Sequence, residues 1–175
     1  DLHKVNVMTM TDGLFLREVR AVAEGFPEIE LEEVLVDAMA ALLVREPQRF
    51  DVVVTTNLFG DVLSDEASEL AGSLGLAPSL NASDTHAMAQ AQHGSAPDIA
   101  GQDKANPTSL ILSTAMLLDW LGTRTNSNAL SEAAAAIGQA IETTLADAAT
   151  RTADVGGTLG TQAFAKAVAT KLLDA

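Results

Sequence analysis

Two carboxylates four residues apart, Asp61 and Asp65, stand in the stretch Asn57-Leu-Phe-Gly-Asp-Val-Leu-Ser-Asp-Glu-Ala-Ser68. On a helix, that spacing puts both on one face. Paired hard oxygen donors with open positions beside them suit Mg²⁺ or Mn²⁺, which keep water or substrate oxygens as their other ligands. The β-branched run from Val52 to Thr56 predicts a buried strand just before them. Asn57 and Gly60 then predict a turn into a helix from Phe59 to Ala71. Carboxylates placed just past the carboxyl end of a strand lie where open α/β sheets bind ligands. Acidic residues in a first turn also complement the helix dipole with no ligand at all. The pair therefore needs support from the rest of the chain.

Composition narrows the classes. The chain has 175 residues, 47% of them hydrophobic, enough for a real core. With 10 Lys+Arg against 24 Asp+Glu the net charge is −14, which repels nucleic acid and anionic membrane surfaces. There is no cysteine, so disulfides and thiolate metal sites are excluded. A reducing, cytoplasmic setting is compatible with this and is the expected location. The longest apolar stretch, Leu110 to Leu118, is interrupted by Ser113 and Thr114 and is too short to span a bilayer.

The elements that would position the carboxylates alternate. An alternating run over Asp1 to Met10, carrying Lys4 and Asn6, reads as a strand entering a turn. Thr11 and Asp12 are suited to cap a helix whose apolar positions are Leu14, Phe15, Val19, Val22 and Ala23, ending near Gly25 and Pro27. Leu31 to Val36 predicts a strand and Asp37 to Leu43 a helix. With the strand and helix around Asn57 this gives β-α-β-α-β-α order and an α/β architecture. Beyond Gly72-Ser-Leu-Gly75, Asn81 to Thr85 reads as a polar loop and His86 to Ala91 as a strand. A long irregular stretch follows from His93 to Pro107, rich in Gly, Pro and small residues; loops of this length in a compact fold are usually functional. Helices are predicted over Thr108 to Leu121, Asn128 to Thr150 and Thr161 to Leu173, with Gly156-Gly157 separating the last two.

Five segments, in this order and spacing, resemble the β-decarboxylating dehydrogenases, the isocitrate/3-isopropylmalate dehydrogenase family. They are His3-Lys4-Val5-Asn6-Val7, Val36-Asp37-Ala38-Met39, Asn57 to Asp65, Gly72-Ser-Leu-Gly-Leu76 and His93-Gly-Ser-Ala-Pro-Asp-Ile-Ala-Gly101 through Asn106-Pro107. The resemblance covers essentially the whole chain. It implies an α/β, isopropylmalate dehydrogenase-like two-domain fold of which this chain is the C-terminal half. Residues 1–71 would belong mainly to the smaller, dimer-forming domain with the metal residues. Residues 72–175 would return to the large domain with the cofactor's adenosine loop. The implied activity is oxidation of a 2-hydroxy acid by a nicotinamide cofactor, followed by loss of the β-carboxylate as CO₂.

Residue roles follow from the same resemblance. Asp61 and Asp65 would hold Mg²⁺ or Mn²⁺. Asp37 would be a third metal-site carboxylate, supplied across a homodimer. Lys4, also across the dimer, would assist removal of the hydroxyl proton, for which a lysine needs a desolvated or cationic setting. Asn6 would lie near nicotinamide and substrate. His93, Gly94, Ser95, Ala96, Asp98, Ile99 and Asn106 would hold the adenosine end of the cofactor. His93 would pack on adenine, and Asn106 would bond its edge. Asp98 accepts hydrogen bonds from a ribose 2′-hydroxyl and repels a 2′-phosphate, which favours NAD over NADP. The NADP-using members tend to carry Lys and Tyr at the positions of Asp98 and Ile99.

There are departures from the pattern. Gln90 stands where many relatives have an acidic residue, and the Asn81 to Ala87 loop is unlike the usual glycine-rich version. The family's substrate-clamping arginines and general-acid tyrosine belong to a first half that the chain does not match. Arg17, Arg20, Arg45 and Arg49 read instead as helix-surface or dimer-contact residues. The expected substrate is a small 2-hydroxy di- or tricarboxylate. The alternatives are a non-catalytic regulatory paralogue and an inactive fragment retaining metal and NAD half-sites.

Overall fold

The computed structural model describes residues 1–174. The chain divides into two compact units, Asp1–Leu70 and Ala71–Ala175. The fold is mixed α/β and rich in helix.

In the first unit, strand β1 (Leu2–His3) pairs in parallel with β2 (Val34–Leu35), Leu2 opposite Val34 and His3 opposite Leu35. Three helices surround this short ladder: α1 (Thr11–Ala23), α2 (Val36–Arg45) and α3 (Asn57–Ala71). Leu2, Val34, Met39 and Leu63 form the core, with Phe50, Phe59, Leu42 and Leu43 packed around them. Helix α1 buries Leu16, while Leu14 and Val22 of the expected apolar stripe are exposed.

Strand structure here is shorter than the sequence suggests. After His3 the chain turns at once, Val7 and Met8 both donating to the Lys4 carbonyl. Only Val34 and Leu35 of the expected Leu31–Val36 strand form a ladder. Val52 to Thr56 is not a buried strand: Val52 is 81% exposed, and the run is tied to β1 by one backbone bond, Leu2 N–H to the Val54 carbonyl at 2.9 Å. β-branched residues favour a pleated surface, but a strand exists only where a neighbour supplies the ladder. Among the described residues, none completes one here.

In the second unit, β3 (Pro78–Ala82) and β4 (Ala87–Ala91) form an antiparallel hairpin, Leu80 opposite Ala89. Asn81 and Ala82 therefore belong to a strand and not to the expected polar loop. The turn itself is held by Ser83, whose amide donates to the His86 carbonyl and whose Oγ accepts from the His86 amide. Helices α4 (Thr108–Thr125), α5 (Asn128–Ala146) and α6 (Thr161–Leu173) follow. Helix α4 runs beyond Leu121 to a left-handed Asn126, a residue that tolerates that conformation. Helix α5 stops at Ala146, where Asp147 accepts the Ala149 amide and caps a 3₁₀ turn over Ala148–Thr150. Ala140, Ile141, Phe164 and Val168 make the core, joined by Ile111, Leu112, Leu145 and Leu159. Among the described residues, no helix is long and apolar enough to cross a membrane.

Candidate functional site

Lys4 and Asp37 are brought together in the first unit. Lys4 Nζ lies 2.7 Å from Asp37 Oδ1. Asp37 sits in the first turn of α2, which begins at Val36 with no side-chain cap, so its carboxylate is available to the lysine and is not spent as an N-cap. The hydrogen bond from Lys4, helped by backbone amides at the helix start, holds the Asp37 carboxyl below its usual range. The backbone of Lys4 is fixed in turn by Asp12. That residue is 2% exposed, and its Oδ2 accepts the Lys4 amide at 2.6 Å. Asp12 is the second residue of α1 and does not cap the helix, as its position next to Thr11 suggested. Asn6 is exposed in the turn after β1.

Asp61 and Asp65 are both exposed, one turn apart on α3. Asn57 Nδ2 donates to Asp61 Oδ2 at 3.3 Å, so the residue that opens the helix also orients the first carboxylate. Among the described residues, no group of three His, Cys, Asp or Glu side chains is placed to hold a metal ion. The two helical carboxylates are thus a hard-oxygen pair that fits a divalent ion in kind but needs further ligands from elsewhere. The four arginines of the first unit are all engaged with carboxylates: Arg17 with Glu18, Arg20 with Glu33, Arg45 with Glu46, and Arg49 with Glu32. The bidentate bond from Arg20 holds the Glu33 carboxyl below its usual range.

In the second unit, a cavity of about 620 Å³ opens between the Ser73–Gly75 segment, the His93–Asn106 loop and the start of α6. His93, Gly94, Ser95, Ala96, Ile99 and Asn106 all line it. Asp98 does not: it is exposed, and its carbonyl accepts from Gln102 Nε2. The loop turns at Ala96, held at φ 40, and at Asp103, held at φ 54, both left-handed. His93 Nδ1 lies 2.9 Å from the Gly94 carbonyl, an acceptor only, so that nitrogen carries the proton. Asp103 fastens the far end of the loop: its Oδ1 accepts the Gln162 amide and its carbonyl the Thr161 amide, satisfying donors at the start of α6.

Asp154 organises the cavity floor, and nothing in the sequence marked it. Its Oδ2 accepts from Ser73 Oγ at 2.5 Å and from Asn106 Nδ2 at 2.9 Å. Partial burial by itself would raise its pKa. The bonds from Ser73 and Asn106 outweigh that and hold it below the usual carboxylate range, with the Thr152 hydroxyl adding to them from beside the carboxylate, outside strict hydrogen-bond geometry. Because a carboxylate only accepts, Asp154 fixes which way the Asn106 amide faces. Asn106 Oδ1 accepts the Thr108 amide at 3.0 Å, so both ends of the amide are oriented where it lines the cavity. Gly75 is needed at this floor, since a Cβ there would stand 2.7 Å from Asn106 Cβ. The signal for Asp154 is tertiary: it comes from a 3₁₀ turn, Ala153–Val155, 48 residues beyond Asn106.

The chain belongs to the isocitrate/isopropylmalate dehydrogenase family, whose model matches residues 1–168. Among its relatives, the isocitrate/homoisocitrate dehydrogenase of Thermus thermophilus is 51% identical over 95% of this chain and 47% of that protein. The 3-isopropylmalate dehydrogenase of Methanothermobacter thermautotrophicus is 45% identical over 99% of this chain and 50% of that protein. The crystal structure of isocitrate dehydrogenase from Methylococcus capsulatus superposes with a TM-score of 0.91 at 41% identity, covering 98% of this chain and 49% of that one. The chain spans about half the length of the relatives it matches. The family is one of decarboxylating dehydrogenases, and its members are in general NAD(P)- and divalent-metal-dependent.

Proposed function

We propose that the chain is the cofactor and metal half of an NAD-dependent, Mg²⁺- or Mn²⁺-dependent dehydrogenase that oxidises and decarboxylates a 2-hydroxy di- or tricarboxylate of the isocitrate/3-isopropylmalate type. The observation that carries it is the cavity, lined by six of the seven residues assigned to the adenosine site, Asn106 among them and bonded to Asp154. The second N–H of the Asn106 amide would donate to a ring nitrogen at the adenine edge. The small side chains of Gly94, Ser95 and Ala96 let a ligand approach the backbone. Asp98, outside the cavity lining, faces solvent as an acceptor for ribose hydroxyls and repels a 2′-phosphate. The whole protein is a homodimer with cytoplasmic location in this reading.

Asp61 and Asp65 would hold the divalent ion, and Asp37 of a second copy would complete its carboxylates. When bound, the ion supplies positive charge that offsets the negative charge developing on the substrate oxygen. Lys4 and Asp37 are the two residues the reading assigns to the neighbouring subunit, and their 2.7 Å contact brings them to one place on the chain. Lys4 would take the hydroxyl proton at Nζ only as the neutral amine, released from its ion pair when Asp37 serves the metal, with Asp12 holding its backbone in place.

The test uses the full-length protein, assayed for NAD reduction with Mn²⁺ and each of isocitrate, homoisocitrate and 3-isopropylmalate. Turnover of one acid is expected, and Asp65→Asn should abolish it while dinucleotide affinity stays within about twofold. No turnover with any acid, or full turnover in the Asp65→Asn variant, would sink the corresponding part of the reading. A regulatory subunit would bind dinucleotide or metal without turnover, which the same assay separates.

A further inference from the structure

Ser109 and Ser113 are fully buried, one turn apart on α4, on the side of the helix that meets the hairpin. A buried hydroxyl is costly unless it is bonded, and serine is a poor choice for a helix interior on propensity alone. Both are bonded to the hairpin and its flanks. Ser109 Oγ donates to the Ala77 carbonyl and accepts the Gln92 amide at 3.2 Å. The Ser109 amide donates to the Gly75 carbonyl at 2.8 Å. Ser113 Oγ accepts the Ser79 amide at 3.0 Å and lies 2.7 Å from both the Gln90 and Ser109 carbonyls.

The two serines have the same burial and the same kind of bonding, but they reach different places. Gly75 lines the cavity, and Gln92 immediately precedes His93, which also lines it. Through its hydroxyl Ser109 ties Ala77, two residues past Gly75, to Gln92 at the entry to the His93 loop, while its backbone amide holds Gly75 itself. Ser79 and Gln90, the partners of the Ser113 hydroxyl, each lie two residues farther along the chain from the cavity residues Gly75 and His93 than Ala77 and Gln92 do.

We propose that Ser109 is a positioning residue of the dinucleotide site, setting the separation between the Gly75 segment and His93. The inference rests on the reading of the cavity as a dinucleotide site. Ser109 touches no ligand itself; its hydroxyl acts through Ala77 and Gln92, the two bonds that Ser109→Ala removes. Ser113 staples the same hairpin without reaching the cavity, and so provides an internal control.

The experiment titrates NADH fluorescence with full-length wild type, Ser109→Ala and Ser113→Ala, and records melting temperatures alongside. Both substitutions should lower the melting temperature to a similar extent. Loss of one hydrogen bond's worth of positioning is about a fivefold rise in Kd. That rise is expected for Ser109→Ala, with Ser113→Ala within about twofold of wild type. Unchanged affinity in Ser109→Ala, or equal weakening in both variants, overturns the assignment. Ser109→Cys keeps a weak donor and acceptor in nearly the same volume and serves if the alanine variant does not fold. An intermediate Kd is then expected, and a wild-type Kd overturns the proposal. Wild type that binds neither NADH nor NADPH overturns the dinucleotide reading itself, an outcome distinct from any difference between the serine variants.

Discussion

Asp98 and Asp154 show how differently two carboxylates of one loop system are used. Asp98 is exposed, and it is its carbonyl that bonds within the loop, to Gln102, which suits the carboxylate to discriminate among ligands. Replacing Asp98→Lys together with Ile99→Tyr in the full-length protein should move the preference from NAD towards NADP, read as the ratio of kcat/KM for the two cofactors. An unmoved ratio would remove Asp98 from the cofactor site. Asp154 is engaged with Ser73 and Asn106, and its folded pKa lies below the unfolded value. Its contribution to stability is therefore present above the unfolded carboxylate pKa, about 3.9, and is lost as pH falls through the lower folded value. The Asp154→Asn variant should melt below wild type at neutral pH, with the gap closing below about pH 4. A gap that stays constant into acid would show that the carboxylate's charge contributes nothing. The sequence motifs identify Asp98 because it stands in a contiguous run. Asp154 is invisible there because its partners are distant in sequence.

Elements decide the precision of the cavity. The hairpin, the start of α4 and the start of α6 each fix one part of a loop that would otherwise be free to move. Gly75 sits where these parts come closest, and Gly75→Ala should press Asn106 off Asp154. Overpacking of this kind costs about 1–3 kcal/mol, which a denaturant titration of the full-length protein resolves, and dinucleotide affinity should fall with it. Stability and affinity both unchanged would mean that the floor relaxes freely. Helices were the legible elements. Thr161 to Leu173 forms as its composition and flanking glycines predict, and α1, α2 and α4 differ from expectation by a few residues at their ends. Strands were not. Val52 to Thr56 has strong strand composition but no ladder, whereas Asn81 and Ala82, poor strand formers, are held in one by pairing with Ala87 and Met88. A helix satisfies its backbone locally, and a strand depends on a neighbour that composition does not specify.

At the scale of the molecule, the two kinds of site lie in different compact units, with Lys4, Asp37, Asp61 and Asp65 in Asp1–Leu70 and the cavity in Ala71–Ala175. Amide hydrogen exchange on the full-length protein should separate them. NADH is expected to slow exchange over residues 73–75 and 93–106, and Mn²⁺ over the first turns of α3. Protection of neither region by its ligand would count against that site alone. The sequence by itself determined the family, the order of helices and the residues that stand in contiguous motifs, because those depend on local spacing and on residue type. Only the tertiary structure decided that Lys4 meets Asp37 and that Asp12 holds the Lys4 backbone. It also decided that Asp154 orients Asn106 and that Ser109 joins the two cavity segments. Each of these is a hydrogen bond or ion pair between residues eight or more positions apart along the chain, and its geometry exists only once the chain has folded.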